Sequence, residues 1–217
     1  MKKSLRLHPQ PFLHNKDLPE AVRSGPPPDE RSLIERSCKG DVHAYDVLVR
    51  RYERIMYQLA VRLTGNTDDA ADIAQEAFIR GWNHIKAFRR EAMFSTWMHR
   101  IVVNVFLDHR KKNRNKKHIS LEQSIDANQE ATTMDIPDTA AGPEALALET
   151  EQQVELHNAL MELPEAQRTL MVLFHIQEKT YEELVEITGL PLGTVKSRLN
   201  RARLALREKL SKRNAES

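Results

Sequence analysis

The chain has 217 residues, 40% hydrophobic and 29% charged, which supplies apolar material for one large or two small packed domains. A single cysteine, Cys38, excludes an internal disulfide and a cysteine-built zinc site, and the nine histidines show no HExxH spacing. The formal net charge is only +2, no apolar run reaches the ~18 residues of a bilayer span, and the basic start "MKKSLRLHPQPF" lacks the apolar stretch of a secretion signal, so the expected compartment is the cytoplasm.

Residues 1–30 carry Pro9, Pro11, Pro19 and "GPPPDE" and read as a flexible, proline-rich extension. From 31 to 118 the pattern is helical, with breaks near Gly40 and at "TGNTDD". Within it, "NTDDAADIAQEAFIRGWNHI" crowds Asp68, Asp69 and Asp72 at a helix N-terminus, where the helix dipole favours them. Asp69, Asp72 and Glu76 continue as one stripe, with Arg80 and Asn83 further along it, while Ala70, Ala74, Ala77, Phe78 and Ile85 gather opposite. That arrangement suits docking on a basic partner helix, and charge alone is equally consistent with a solvated face.

The next helix, "FSTWMHRIVVNVFLDHRKKNRNKK", has an apolar side of Met98, Ile101, Val102, Val105 and Phe106. A second row carries Trp97, Arg100, Asn104, Asp108 and Lys111 and leads into the basic run from Arg110 to Lys117. An aromatic, an amide and cations in one row fit single-stranded nucleic acid, whose bases stack or pair on their edges while cations follow phosphates. The competing reading makes Trp97 a core residue and Asn104 a satisfied amide.

Residues 119–143 are acidic, without Lys or Arg and without periodicity, and read as a tether. A second helical block spans 144–212, interrupted by Pro164, and 213–217 form a tail. In "TYEELVEITGLPLGTVKSRLNRARLAL", Thr180 and Glu183 are spaced for a capping box, Gly189 for a left-handed cap, and Pro191 resists continuation. After the turn, Val195, Leu199, Ala202 and Leu206 share one stripe at roughly 100° per residue. Ser197, Asn200 and Arg201 lie opposite, with Thr194, Lys196 and Arg207 on the flanks. Two helices joined by a glycine turn, the second with a polar basic face, make a helix-turn-helix signature suited to the DNA major groove. An ordinary helical hairpin with a solvated face is the bland alternative.

The fold class expected is therefore all-α, two small helical domains joined by a flexible acidic linker. "DIAQEAF", "FSTWMHRIVVN" and "GTVKSRLNRAR", in this order, resemble an extracytoplasmic-function sigma factor, of the small two-domain group within the sigma-70 family, over about residues 31–210. The resemblance implies a non-enzymatic subunit of bacterial RNA polymerase, without cofactor, metal or catalytic residue. Its front domain would dock on the β′ clamp coiled coil through Asp69, Asp72, Gln75 and Glu76. The same domain would read the minus-ten promoter element with Arg89, Arg90, Phe94, Trp97, Arg100, Asn104, Arg110 and Lys111, capturing a base flipped from the non-template strand with the loop Arg89 to Phe94. Its rear domain would touch the β flap and read the minus-thirty-five element through Thr194, Lys196, Ser197, Arg198, Asn200 and Arg201. The acidic tether would thread the polymerase's nucleic-acid channels, and an anti-sigma factor is an expected partner. Three departures stand out: Ala71 replaces a usual glutamate, Glu178 a usual glycine, and Val185 a usual alanine.

Two other readings differ in class. An autonomous helix-turn-helix regulator would dimerise on paired half-sites, and no dimerising heptad run is evident. An enzyme acting on nucleic acid lacks a metal cluster, a nucleophile constellation and a glycine-rich phosphate loop in the sequence.

Overall fold

The computed structural model describes residues 29–89, 92–120 and 154–216, with side chains for all of these except 114–120 and 213–216. Most of the expected tether, most of the N-terminal extension and Arg90 lie outside the described residues. Within the described residues the regular structure is helical and contains no strand.

The front domain holds four helices. Helix α1 (Glu30–Cys38) leads into α2 (Val42–Thr64). Asp41 caps α2, its carboxylate accepting from the His43 and Ala44 N–H groups at 3.0 and 3.1 Å while Arg36 holds it from outside at 2.6 Å. These donors and the Arg36 cation hold the Asp41 carboxyl below its ordinary range, the Ala44 N–H contributing most. Gly65 then ends α2 in the left-handed region, φ 72°, and the next helix α3 (Thr67–His84) starts two residues later. Its cap is Asn66, whose side-chain oxygen accepts from the Asp68 and Asp69 N–H groups at 2.8 and 2.9 Å. A 3-10 turn (Ile85–Ala87) leads towards α4 (Phe94–Ser120). Leu48, Met56, Leu59, Leu63, Ile73, Met98, Val102 and Phe106 are sealed between these helices, and burying each such side chain contributes about 1.5–3 kcal/mol.

In the rear domain, residues 154–161 form α5 and Pro164 opens α6 (Glu165–Met171), which continues through a π-helical turn (Val172–Ile176). Helix α7 (Tyr181–Thr188) carries the capping box expected from the sequence: Glu183 N–H donates to Thr180 Oγ1 at 3.2 Å and Thr180 N–H to Glu183 Oε2 at 2.9 Å. Gly189 caps it at φ 69°, its N–H reaching the Val185 carbonyl at 2.8 Å. Helix α8 (Leu192–Glu216) follows, and the expected stripe of Val195, Leu199, Ala202 and Leu206 is buried against α6 and α7.

The two domains touch. Helix α7 packs on α4, and α6 meets the end of α2. Arg168, 4% exposed, donates from Nη1 to the Leu63 carbonyl at 2.8 Å and from Nη2 to the Leu163 carbonyl at 3.2 Å. Leu63 lies in the last turn of α2, where carbonyls have no intrahelical donor and the dipole is negative, so a buried guanidinium is partly compensated there, and the Glu165 carboxylate nearby adds to it. Burial still pulls the Arg168 pKa down, with Arg110 nearby adding to it.

Candidate nucleic-acid and polymerase interfaces

Asp69, Asp72, Gln75 and Glu76 form a continuous row on α3, Asp69 half-buried and the other three exposed. The first turn is fixed by the Asn66 cap, so the row begins on a rigid helix end. At its far end Arg80 joins two helices, donating from Nε to Glu76 at 2.9 Å and from Nη1 to Asp108 of α4 at 2.7 Å. These two carboxylates raise the Arg80 pKa, the Asp108 hydrogen bond most. Asp108 thus closes the row on α4 as a structural partner for Arg80.

Helix α4 has three faces. Its apolar side faces the front core. Its second row is open: Arg100, Asn104 and Lys111 are exposed, and Trp97 is half-buried. Trp97 stands against Phe88 and Phe94, ring centroids 4.9 and 5.6 Å away, and Phe94 also meets Tyr52 at 5.3 Å. The aromatic stack holds the indole in place while leaving part of it open to a flat ligand.

The third face had no signal in the local pattern. Thr96, His99 and Val103, spaced i, i+3 and i+7, are each 2% exposed because the rear domain covers them. Thr96 Oγ1 donates to Glu183 Oε1 at 3.0 Å. His99 contacts the Ser95 carbonyl through Nδ1 at 2.7 Å and Gln177 Oε1 through Nε2 at 3.5 Å. Burial lowers the His99 pKa, and Lys179 nearby adds to that. Arg110 belongs partly to this face, its Nε lying 3.4 Å from Glu165 Oε1.

Two expected nucleic-acid residues therefore sit differently from the sequence reading. Phe94, 2% exposed, is packed in the core and seats Trp97; an aromatic at the first helical position following a charged loop looks open in sequence but is roofed by Tyr52 and Phe88. Arg110 is drawn to the rear domain. Arg89 is exposed. Met93, outside the expected set, is 71% exposed at the end of the loop.

On α8, Lys196, Ser197, Asn200 and Arg201 are exposed together, with Thr194 and Arg198 half-buried at the margin. The Lys196 ammonium stands 5.5 Å from the Tyr181 ring centroid, a cation–π contact that ties α8 to α7. Arg203 lies over Phe174 at 5.1 Å and donates to His175 Nε2 at 3.1 Å. The π-turn sets Phe174 and His175 where these contacts form. Glu178 adopts φ 50°, the left-handed conformation that the usual glycine would take without strain.

Among the described residues, no three or more His, Cys, Asp or Glu side chains gather into a possible metal site, and no helix is long and apolar enough to cross a membrane.

Comparison with known proteins agrees with this division. Residues 48–116 match the family model for sigma-70 region 2, and residues 153–206 match that for sigma-70 region 4. The sequence is 37% identical over 182 residues to the ECF RNA polymerase sigma factor SigW of Bacillus subtilis, covering 83% of this chain and 96% of that protein. It is 32% identical over 181 residues to the ECF RNA polymerase sigma-E factor of Escherichia coli K12, covering 83% and 94%. The fold is similar to that of the sigma factor RpoE, solved in complex with the anti-sigma factor NepR from Bartonella quintana (TM-score 0.61, 22% identity, 78% of this chain and 98% of that one). It is also similar to CnrH, solved with the cytosolic domain of CnrY (TM-score 0.58, 22% identity, 84% and 97%).

Proposed function

The chain belongs to the extracytoplasmic-function group of the sigma-70 family, and from that premise we propose which of its surfaces do which part of the work. As an alternative sigma subunit it binds core RNA polymerase and directs initiation at particular promoters. The α3 row of Asp69, Asp72, Gln75 and Glu76 docks on the basic β′ clamp coiled coil. The open row of α4, Trp97, Arg100, Asn104 and Lys111, engages the minus-ten element. Arg89, Arg90 and Met93 close over the flipped base, whose extraction costs a few kcal/mol that capture must offset. Phe94 supports Trp97 from beneath.

In the rear domain, Lys196, Ser197, Asn200 and Arg201 meet base edges and phosphates of the minus-thirty-five element, flanked by Thr194 and Arg198, while the domain also touches the β flap. The observation that carries this reading is the division of α8: a buried apolar stripe fixes the helix, and the four polar side chains opposite are all exposed, on a face that fits a major groove. The work is binding and positioning, with no chemical step assigned to the chain, and it takes place in the cytoplasm where the polymerase is. The similar sigma factor RpoE, solved with the anti-sigma factor NepR, supports an inhibitory partner of that kind here.

The test is gel filtration of the purified chain with bacterial core RNA polymerase, followed by run-off transcription. Stoichiometric co-elution and promoter-dependent transcripts are expected. Tight duplex binding by the chain alone without co-elution would instead establish an autonomous regulator.

A further inference from the structure

The open row of α4 has an anion in it. Asp108 stands between Asn104 at i−4 and Lys111 at i+3, and its side chain is 62% exposed. A bare carboxylate at that place repels every phosphate that passes along the row. Asp108 is not bare. Arg80 reaches across from α3 and donates from Nη1 to Asp108 Oδ2 at 2.7 Å, which sets a guanidinium on the row although its backbone belongs to the neighbouring helix.

A tie between two helices does not account for this arrangement. Helices α3 and α4 already meet through a core that holds Ile73, Met98 and Phe106. Exposed ion pairs add little to such a contact and are screened by salt. What arginine adds over lysine is a planar fork of five N–H donors that matches the oxygens of a phosphate. Nε is taken by Glu76 Oε1 at 2.9 Å, one turn back on α3, and Nη1 by Asp108. These two bonds fix the plane of the group. Nη2 has no partner among the described residues, and with the side chain 38% exposed that edge lies open to solvent.

We propose that Arg80 is a phosphate contact of the minus-ten row, supplied by α3 and aimed by Asp108 and Glu76. The row then runs Arg100, Asn104, Arg80, Lys111, and a strand whose bases meet Trp97 and Asn104 lays one phosphodiester over the open Nη2 edge. Asp108 and Glu76 are positioning residues here, acting through Arg80. The proposal rests on the reading that the open row of α4 meets the minus-ten strand.

Phosphate contacts carry no sequence information. The probe is therefore a fluorescein-labelled oligothymidine of about 20 nucleotides, bound to the chain in complex with core polymerase between about 0.05 and 0.5 M salt. Each phosphate contact to a single strand contributes about 0.7 to the slope of log affinity against log salt. Arg80→Met should lose about that much, so that its deficit at the lowest salt shrinks about fivefold at the highest. An unchanged slope, with affinity either kept or lost equally at every salt, overturns the proposal and leaves Arg80 a strut between helices.

Arg80→Lys keeps a cation between α3 and α4, but its single ammonium is drawn onto the two carboxylates. It should lose the slope as Arg80→Met does, and it decides the matter if Arg80→Met does not fold or co-elute. A full slope with lysine overturns the guanidinium contact. Trp97→Ala separates the two readings. Binding by the unmodified complex no tighter than by core polymerase alone strikes the assignment of the row itself, and this proposal with it. Loss with Trp97→Ala but an unchanged slope with both Arg80 variants strikes this proposal alone.

Discussion

Helices α4 and α8 are of similar length, 27 and 25 residues, and each is proposed to meet nucleic acid along one side. They are held differently. Helix α8 is gripped along a single stripe, Val195, Leu199, Ala202 and Leu206, and most of its circumference is open. Helix α4 is enclosed by its own core on one side and by the rear domain on another, leaving a narrow row between. A helix that reads duplex DNA needs only to be presented, because the groove supplies the complementary shape. One that handles separated strands needs its aromatic and amide groups fixed, since an unpaired base imposes no geometry of its own.

The comparison predicts how single changes divide between stability and recognition. The largest effect is expected for Leu199→Ala, which empties the centre of the apolar stripe holding α8 and should cost about 2–5 kcal/mol in denaturant unfolding. Its exposed neighbour Arg201, changed to Ala, should leave unfolding unchanged and weaken the minus-thirty-five contact by about 1–3 kcal/mol in a promoter-variant assay. Unchanged discrimination would remove Arg201 from the reading set.

Glu178→Gly should raise stability by about 1 kcal/mol, because it relieves a left-handed residue at the entry to α7 without touching either helix. A lower melting temperature would show that the Glu178 side chain contributes more than its backbone costs. Asn104→Ala, on the open row of α4, should move stability by no more than about 0.5 kcal/mol. It should slow promoter opening more than initial polymerase binding, and equal losses in the two would make Asn104 a structural residue.

Acid sharpens the contrast from another side. His99 under α7 and His175 beside Arg203 both have pKa values lowered chiefly by burial, with Lys179 and Arg203 respectively adding to it. A base whose folded pKa lies below its unfolded one leaves stability intact above the unfolded value, about 6.5, and erodes it as pH falls from there towards the folded value. His99 is almost sealed while His175 is exposed. Acidification below about pH 6.5 should therefore loosen the α4–α7 contact before it disturbs α8, as read by amide hydrogen exchange along α4 and α7 against that along α8.

What was legible in the sequence was whatever repeats within one or two helical turns. The Thr180–Glu183 box, the Gly189 cap and the α8 stripe are local, and all three are present as read. The usual glycine missing at Glu178 was visible too, and the backbone there adopts the conformation a glycine favours. The third face of α4 was not legible, because Thr96, His99 and Val103 become a face only when residues some eighty positions later lie on them. The covering of Phe94 was hidden for the same reason: its roof includes Tyr52, from another helix. Arg168 reads as one more surface cation until the end of α2 is known to face it.

The link from Arg168 to Leu63 spans 105 residues of chain. A ribosome adding about 5–20 residues per second needs on the order of 5–20 s to cover that distance. For that interval each newly made front domain has its full docking row and no rear domain to close against. Throughout it the Leu63 carbonyl at the end of α2 stays open to water, and the contact between the domains is the last part of the fold able to form.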